Sequence, residues 1–159
     1  MTTYVLIHGA WHGGWCWKKT APLLRAAGAD VFAPTLTGMG ERAHLNNQLN
    51  PSNITLDVHI QDIVQMMSYE GLQDVVLVGH AYAGMVITGV AEVCPERISH
   101  MVYVNGVIPS DGESMLDQLI PVRGPEFTGW IQDLIDNGDG FLPPPASAEE
   151  IERRWGISD

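Results

Sequence analysis

Short apolar runs alternate along the chain with stretches whose apolar residues recur at helical spacing. Four runs have the length of buried strands: TYVLIHG, ADVFAP, DVVLVGH and HMVYVNG. Between the first two runs, Trp17, Ala21 and Leu24 recur at positions i, i+4 and i+7, which predicts a helix that ends near Gly28. The beginning of the chain is therefore predicted to fold as strand, helix, strand.

Two further helices are predicted on either side of the third run. Thr55 is placed to be the N-cap of an amphipathic helix, and Pro95 closes an apolar helix that runs from Tyr82 to about Cys94. Strands that are almost continuously apolar and that alternate with helices indicate a mostly parallel sheet, covered on both faces, in a three-layer α/β fold. The apolar face of the amphipathic helix consists of Leu56, Ile60, Ile63, Val64 and Met67.

The character of the chain changes after Pro109. Residues 110–159 are rich in acidic residues, contain a Pro-Pro-Pro run and include two or three short amphipathic segments, with no further strand of comparable quality. We interpret residues 1–109 as the N-terminal part of the core and residues 110–159 as a cap over the ends of the strands. Earlier in the chain, the segment from Thr35 to Asn53 is rich in Gly, Asn and Pro and is predicted to be a loop.

Composition and charge narrow the possible partners. Apolar types make up 45% of the residues and charged types 17%, which is typical of a globular protein with a large buried fraction. A formal charge of −11 with only 8 Lys and Arg argues against a nucleic-acid partner, because phosphate binding depends on clustered cations.

The N-terminus has no signal-peptide pattern, so a cytoplasmic location is expected. Glycine and histidine interrupt the most apolar stretch, so no membrane contact is predicted.

The residues that follow the strands are the ones to examine, because parallel sheets bind ligands beyond the carboxyl ends of their strands. The turn GHAYAG after the third strand has the spacing of a nucleophile elbow, with Ala81 where a serine is expected. A methyl group cannot attack a carbonyl, so covalent acyl transfer is closed to this side chain. The N–H of Tyr82 lies at a predicted helix N-terminus, where negative charge on an oxyanion is favoured.

The loop after the first strand, HGAWHGGW, is predicted to supply the second oxyanion donor through the N–H of Ala10. His8 and His12 are four residues apart, which on a helix would suggest a metal pair. Here they flank glycines on a loop and no third ligand is evident, so no metal site is predicted. We expect His8 to anchor the loop as a hydrogen-bond donor.

Three motifs together carry a family resemblance: LIHGAWHGGWCW, LTGMGER and VLVGHAYAGMVITGVA. The chain resembles the α/β-hydrolase superfamily from Tyr4 to about Pro109. Within that superfamily it is similar to the esterase-like branch of plant methylesterases, hydroxynitrile lyases and bacterial carboxylesterase-like proteins. The resemblance implies a triad of serine, acid and histidine, and it places the serine at Ala81 and the oxyanion donors at Ala10 and Tyr82.

The acid and the histidine of such a triad have no counterpart in the sequence. In the superfamily they follow the nucleophile, but His100 opens the fourth strand at the far end of the sheet and His59 lies on the amphipathic helix. His80 is expected to point away from the position of attack. The family's sheet continues beyond the cap, so we expect Asp159 to end a truncated form without the C-terminal core strands. Its partner would then be the missing segment or a second copy.

The sequence as a whole predicts a hydrolase of carboxylic esters, lactones or amides in a form without its nucleophile, and hence inactive. No cofactor is implied. A non-catalytic binding protein on the same fold and a lyase of the superfamily remain as alternatives. The pocket for a small apolar ester-like substrate is predicted to be lined by His8, Trp11, His12, His80, Tyr82, Met85 and Val107.

Overall fold

The computed structural model describes residues 1–50, 53–137 and 149. Its described part contains four strands and five α-helices, which alternate as far as the last strand and are then followed by two consecutive helices. The strands are β1 (Thr3–Ile7), β2 (Asp30–Phe32), β3 (Val75–His80) and β4 (Ile98–Val104). The helices are α1 (Ala21–Ala26), α2 (Leu56–Tyr69), α3 (Ala83–Val93), α4 (Met115–Arg123) and α5 (Pro125–Asn137), with short 3-10 helices at Gly14–Trp17, Gly40–Asn47 and Pro95–Arg97.

The strands form a parallel sheet, as the near-continuous apolar runs predict. Their order in the sheet is β2-β1-β3-β4. β1 pairs with β3 from Thr3 and Val75 to Ile7 and Gly79, so both strands reach the carboxyl edge together. The loop after β1 and the turn after β3 therefore leave the sheet side by side.

Hydrophobic cores lie on both faces of the sheet and are unequal in size. On the smaller face, Leu6, Val31 and Val78 pack with Ala21 of α1. On the larger face, the sheet packs against α2 and α3, and the predicted apolar face of α2 contributes Ile60, Ile63 and Met67. Side chains of β3 alternate between the two cores, with Leu77 in the larger and Val78 in the smaller.

Most predicted elements form close to their expected positions. Thr55 is the N-cap residue of α2, although its hydroxyl makes no capping hydrogen bond. The fourth strand begins at Ile98, two residues before His100. The segment predicted as a loop from Thr35 to Asn53 contains the 3-10 helix Gly40–Asn47, and this part of the prediction was wrong.

The predicted cap begins with two helices, α4 and α5, that follow one another closely. Ser114 and Asp117 form a reciprocal capping box at the start of α4, so this helix boundary is fixed by local sequence. The Pro-Pro-Pro run and the last residues of the predicted cap lie outside the described residues.

Candidate active site

The turn between β3 and α3 has the strained geometry of a nucleophile elbow. Ala81 has φ 51°, in the left-handed region that residues with a side chain seldom adopt. Its N–H donates to the Val104 carbonyl at 3.2 Å, and its own carbonyl accepts from the N–H groups of Gly84 and Val107 at 3.0 Å each. Three backbone hydrogen bonds therefore hold the residue in this conformation, and none of them involves its side chain.

Small residues allow the elbow to close. A Cβ on Gly79 would lie 2.7 Å from the Ala83 carbonyl oxygen, and one on Gly84 would lie 2.2 Å from the Val107 carbonyl oxygen. Both distances are far inside van der Waals contact, so helix α3 and the segment after β4 could not approach the turn with larger residues there. The G-x-x-x-A-G spacing read from the sequence thus has a direct steric cause.

The loop after β1 is folded back on itself by hydrogen bonds to two carbonyls. The Gly9 carbonyl accepts from His8 Nδ1–H at 2.7 Å and from the His12 N–H at 3.3 Å. His12 Nδ1–H in turn donates to the Ala10 carbonyl at 2.8 Å. Trp11, between them, has φ 63°. Because backbone strain of this kind persists only where surroundings enforce it, the loop is held in one defined shape.

The loop and the elbow are in contact. A Cβ built on Gly9 would lie 3.2 Å from the Ala81 Cβ and 2.9 Å from His80 Nδ1. Gly9 therefore permits the predicted donor segment to lie directly beside the nucleophile position. Within residues 1–50 and 53–137, no protein hydrogen bond engages the N–H of Ala10 or of Tyr82. Two half-buried N–H donors without a partner thus flank position 81.

His8 lies beneath the loop instead of lining a pocket. Its side chain is 0% exposed, and its Nε2 accepts the Leu36 N–H at 3.0 Å while Nδ1–H donates to Gly9. These bonds require the neutral ring, and burial lowers the pKa of His8, which favours the same form. The geometry agrees with the predicted anchoring role and argues against a substrate contact for this side chain.

Tyr82 also departs from its predicted place in the pocket wall. Its hydroxyl lies 2.8 Å from Nδ1 of His59 on α2, and His59 Nε2–H donates to the Thr37 carbonyl at 2.9 Å. Since Nε2 carries the proton, Nδ1 of the neutral ring accepts from the tyrosine hydroxyl. His59 is only 4% exposed, and burial lowers its pKa. Burial also raises the pKa of Tyr82 far above its usual range, so the phenol stays protonated.

Sequence reasoning placed His59 on α2 but missed this contact. One signal was available: residue 59 lies three positions after Leu56 and four before Ile63, within the apolar stripe of the helix. A polar residue in such a stripe is buried and needs a hydrogen-bond partner. The stripe itself does not reveal that the partner is Tyr82, 23 residues away.

The remaining predicted residues are divided between the rim of the site and its interior. The His12 ring is 5.6 Å from that of Trp15 and 6.3 Å from that of His80, which also meets Trp17 at 6.5 Å. Burial, with a smaller effect of His12, lowers the pKa of His80. Met85 is only 6% exposed, whereas Val107 is half-buried beside the elbow. The rim is thus aromatic and imidazole-rich.

Among the residues that the structure describes, no group of three or more His, Cys, Asp or Glu side chains is arranged to hold a metal ion. In the same described part of the chain, no helix is both long enough and apolar enough to cross a membrane.

The chain belongs to the Alpha/beta hydrolase family, whose profile matches residues 4–158. A carbendazim hydrolyzing esterase from Nocardioides sp. is 43% identical over 164 residues, which cover 98% of this chain and 66% of the relative. The similarity is therefore strong along almost the whole of this chain and confirms the esterase-like branch.

Two solved structures share the architecture. An extracellular alpha/beta-hydrolase from a Paenibacillus species, described as sharing structural and functional homology with a tobacco salicylic acid binding protein, aligns with a TM-score of 0.73 at 31% identity, over 86% of this chain and 52% of its own. Tomato methylketone synthase I in complex with 2-tridecanone aligns with a TM-score of 0.61 at 30% identity, over 71% of this chain and 43% of its own. The chain spans about half the length of these solved relatives.

Proposed function

We propose that the chain provides the carbonyl-binding part of an esterase site. A small apolar ester, lactone or amide would lie over Ala81 with its carbonyl oxygen toward the N–H groups of Ala10 and Tyr82. The observation that carries the proposal is the contact between Gly9 and Ala81, which brings together two donors that no described residue satisfies. Donors fixed in this way stabilise developing negative charge without having to reorganise.

The class of ligand is supported by the surroundings and by a relative. Trp11, His12 and Val107 are half-buried beside the donors and provide apolar and aromatic surface. The relative with 43% identity is named an esterase. The net charge of −11 disfavours substrates with several negative charges and is compatible with a neutral ester.

Position 81 decides whether such a ligand is hydrolysed. A serine there would attack the carbonyl, and a histidine general base would accept its proton. The alanine methyl has no nucleophilic oxygen and no proton to give to a base. We therefore propose that this sequence is an inactive form of a hydrolase, which binds the ligand and leaves it intact.

The substitution Ala81→Ser tests the hydrolase proposal. The residual catalysis that an oxyanion hole and substrate binding supply is already present in the alanine chain, and a serine hydroxyl is a weak nucleophile without a general base to accept its proton. Imidazole in the assay buffer therefore supplies the base for every chain compared. We expect release of p-nitrophenolate from p-nitrophenyl butyrate to rise at least about tenfold over the unaltered chain, which is a small part of what a complete triad supplies.

Ala43→Ser is the matched control, because it adds a hydroxyl at an exposed position in the 3-10 helix Gly40–Asn47, outside the elbow and the loop after β1. Equal rates for both variants would contradict the hydrolase proposal, provided that Ala81→Ser keeps the urea midpoint of the unaltered chain.

A second candidate is binding, or lyase chemistry, without an acyl intermediate. It is favoured by Ala81 and by the likeness to a methylketone synthase that holds 2-tridecanone, a carbonyl compound that is not an ester. Tight binding of 2-tridecanone by the unaltered chain, together with no gain of esterase activity from Ala81→Ser, would favour this candidate over the hydrolase.

A further inference from the structure

Two buried histidines connect the two predicted oxyanion donors to one short segment of chain. His8 joins the loop of Ala10 to Leu36, and His59 joins Tyr82 to Thr37. We propose that His8, His59 and the segment Leu36–Thr37 form a brace that sets the position of both donor N–H groups relative to each other. The inference rests on the proposed function, since it assigns a role to residues beneath the same site.

The His8 arm of the brace is short and leaves no freedom in the ring. The imidazole bridges the Leu36 N–H and the Gly9 carbonyl, with 3.0 Å and 2.7 Å between the bonded atoms. The Gly9 carbonyl belongs to the peptide group whose N–H is that of Ala10. A shift of Leu36 therefore moves the plane of the peptide that carries the first donor.

The His59 arm reaches the second donor through its side chain. Tyr82 is the N-cap residue of α3, with φ −50° and ψ −36°, and its phenol hydroxyl donates to His59 Nδ1. The ring of His59 meets that of Tyr82 edge-on at 5.7 Å between centroids. A tyrosine held at both its backbone and its hydroxyl end has a fixed N–H direction, which a residue without the hydroxyl would hold less firmly.

The segment between the arms is itself anchored to α2. The Thr37 N–H donates to Asp62 Oδ2 at 2.6 Å, and the Thr37 hydroxyl donates to Asp62 Oδ1 at 2.9 Å. Arg42 lies 3.8 Å from the same carboxylate and donates to the Thr35 carbonyl at 2.8 Å. Because α2 carries both Asp62 and His59, the segment and the second arm move as one unit. Oxyanion donors stabilise the developing charge only when they lie within about 2.7–3.1 Å of it. A rigid connection between α2 and the segment Leu36–Thr37 would keep the donors at that distance.

The experiment is a titration followed on the backbone amide signals of Ala10 and Tyr82 in the ¹⁵N-labelled 159-residue chain. The probes are hexanoate, a carboxylate that presents oxyanion charge, and hexanamide, a neutral compound of equal length. We expect the unaltered chain to shift both amide signals more strongly with hexanoate. His59→Leu should weaken hexanoate binding about tenfold and hexanamide binding less than about twofold, because a misaligned donor costs most with a charged acceptor.

His59→Gln is the rescue variant, because its amide can donate to the Thr37 carbonyl and accept from the Tyr82 hydroxyl. It should restore the hexanoate preference to within about threefold of the unaltered chain. His100→Leu, at an exposed position on β4, is the matched control and should keep the preference unchanged. If His59→Leu does not fold, Tyr82→Phe removes the same hydrogen bond and is read in the same way.

The possible failures are distinct. If hexanoate shifts neither amide in the unaltered chain, the donor assignment fails and the proposed function fails with it. If both amides shift and His59→Leu keeps the full preference for hexanoate over hexanamide, the brace is overturned while the proposed function stands. Equal weakening of both probes would show a general loss of structure and would also overturn the brace.

Discussion

The site contains two layers of histidines that differ in burial and in hydrogen bonding. In the lower layer, His8 and His59 are 0% and 4% exposed, and both ring nitrogens of each are hydrogen-bonded. In the rim, His12 and His80 are half-buried, and the His80 ring makes no hydrogen bond within the described residues. Histidine therefore connects backbone segments in the lower layer, whereas in the rim its rings are partly exposed and can contact a ligand.

The difference follows from where each residue lies along its element. His80 ends β3 on the side of Val78, which faces the smaller core, so its ring meets Trp17. His59 lies on the buried face of α2, against the larger core, where only a hydrogen-bonded neutral ring is tolerated. Burial against the larger core thus turns a titratable group into a structural link.

The largest expected effect comes from breaking the lower layer. His59→Leu leaves the Tyr82 hydroxyl and the Thr37 carbonyl without their partner, and each buried unpaired group costs about 1–3 kcal/mol. We expect the free energy of unfolding to fall by about 2–4 kcal/mol in urea denaturation followed by circular dichroism. His80→Leu, the matched change in the rim, should alter the same quantity by less than about 0.5 kcal/mol. Similar losses for the two variants would remove the distinction between the layers.

The second prediction uses pH. Burial lowers the pKa of His8 and of His59, so near and below the ordinary histidine pKa of about 6.5 the unfolded chain binds more protons than the folded one. Stability is therefore full above about pH 6.5 and is lost as the pH falls. His80 adds to the same window, since burial lowers its pKa too.

Charged neighbours modulate this effect. His12, His59 and Glu41 act on His8, whereas Asp62 and Arg42 act on His59. His59→Gln keeps the hydrogen bonds and removes one titrating group, so the loss of unfolding free energy between pH 7 and pH 5 should be smaller than in the unaltered chain by up to about 1.4 kcal/mol per pH unit. Urea midpoints across this range measure it, with His100→Gln as the control. An unchanged slope in His59→Gln would show that His59 does not titrate differently on folding.

The smallest expected effect isolates a single bond between the layers. Tyr82→Phe removes the hydroxyl that donates to His59 and leaves the ring in place. We expect a loss of about 1 kcal/mol in the free energy of unfolding, the usual net contribution of one hydrogen bond. Tyr103→Phe is a comparable control, since its hydroxyl also meets one polar partner, Thr88, at 2.9 Å. If Tyr82→Phe leaves the free energy of unfolding unchanged while Tyr103→Phe lowers it, the hydrogen bond between Tyr82 and His59 does not stabilise the fold.

The elbow could be predicted because its geometry depends on neighbours in sequence. Gly79, Ala81 and Gly84 lie within six residues, and their spacing alone implies a tight turn between a strand and a helix. The parallel sheet was likewise predicted from its nearly continuous apolar runs. Local spacing and strand composition were enough for these features.

The anchoring role of His8 was predicted, but the distant partners of the lower layer could not be, because these contacts cross long stretches of chain. His8 and Leu36 are 28 residues apart, and Thr37 and Asp62 are 25 apart. Periodicity shows which face of a helix is buried, but the partner of a polar residue on that face depends on how loops pack. The 3-10 helix Gly40–Asn47 was missed for a related reason, since short 3-10 turns carry no apolar period.

The backbone bonds that hold Ala81 have a consequence for protein engineering. Since its conformation depends on its N–H and carbonyl alone, the side chain at this position is free to change without a change of partners. Serine, cysteine or aspartate could be installed there on an unaltered backbone, each as a different nucleophile. Variants at position 81 would therefore allow several nucleophilic groups to be compared while the backbone hydrogen bonds of the turn stay the same.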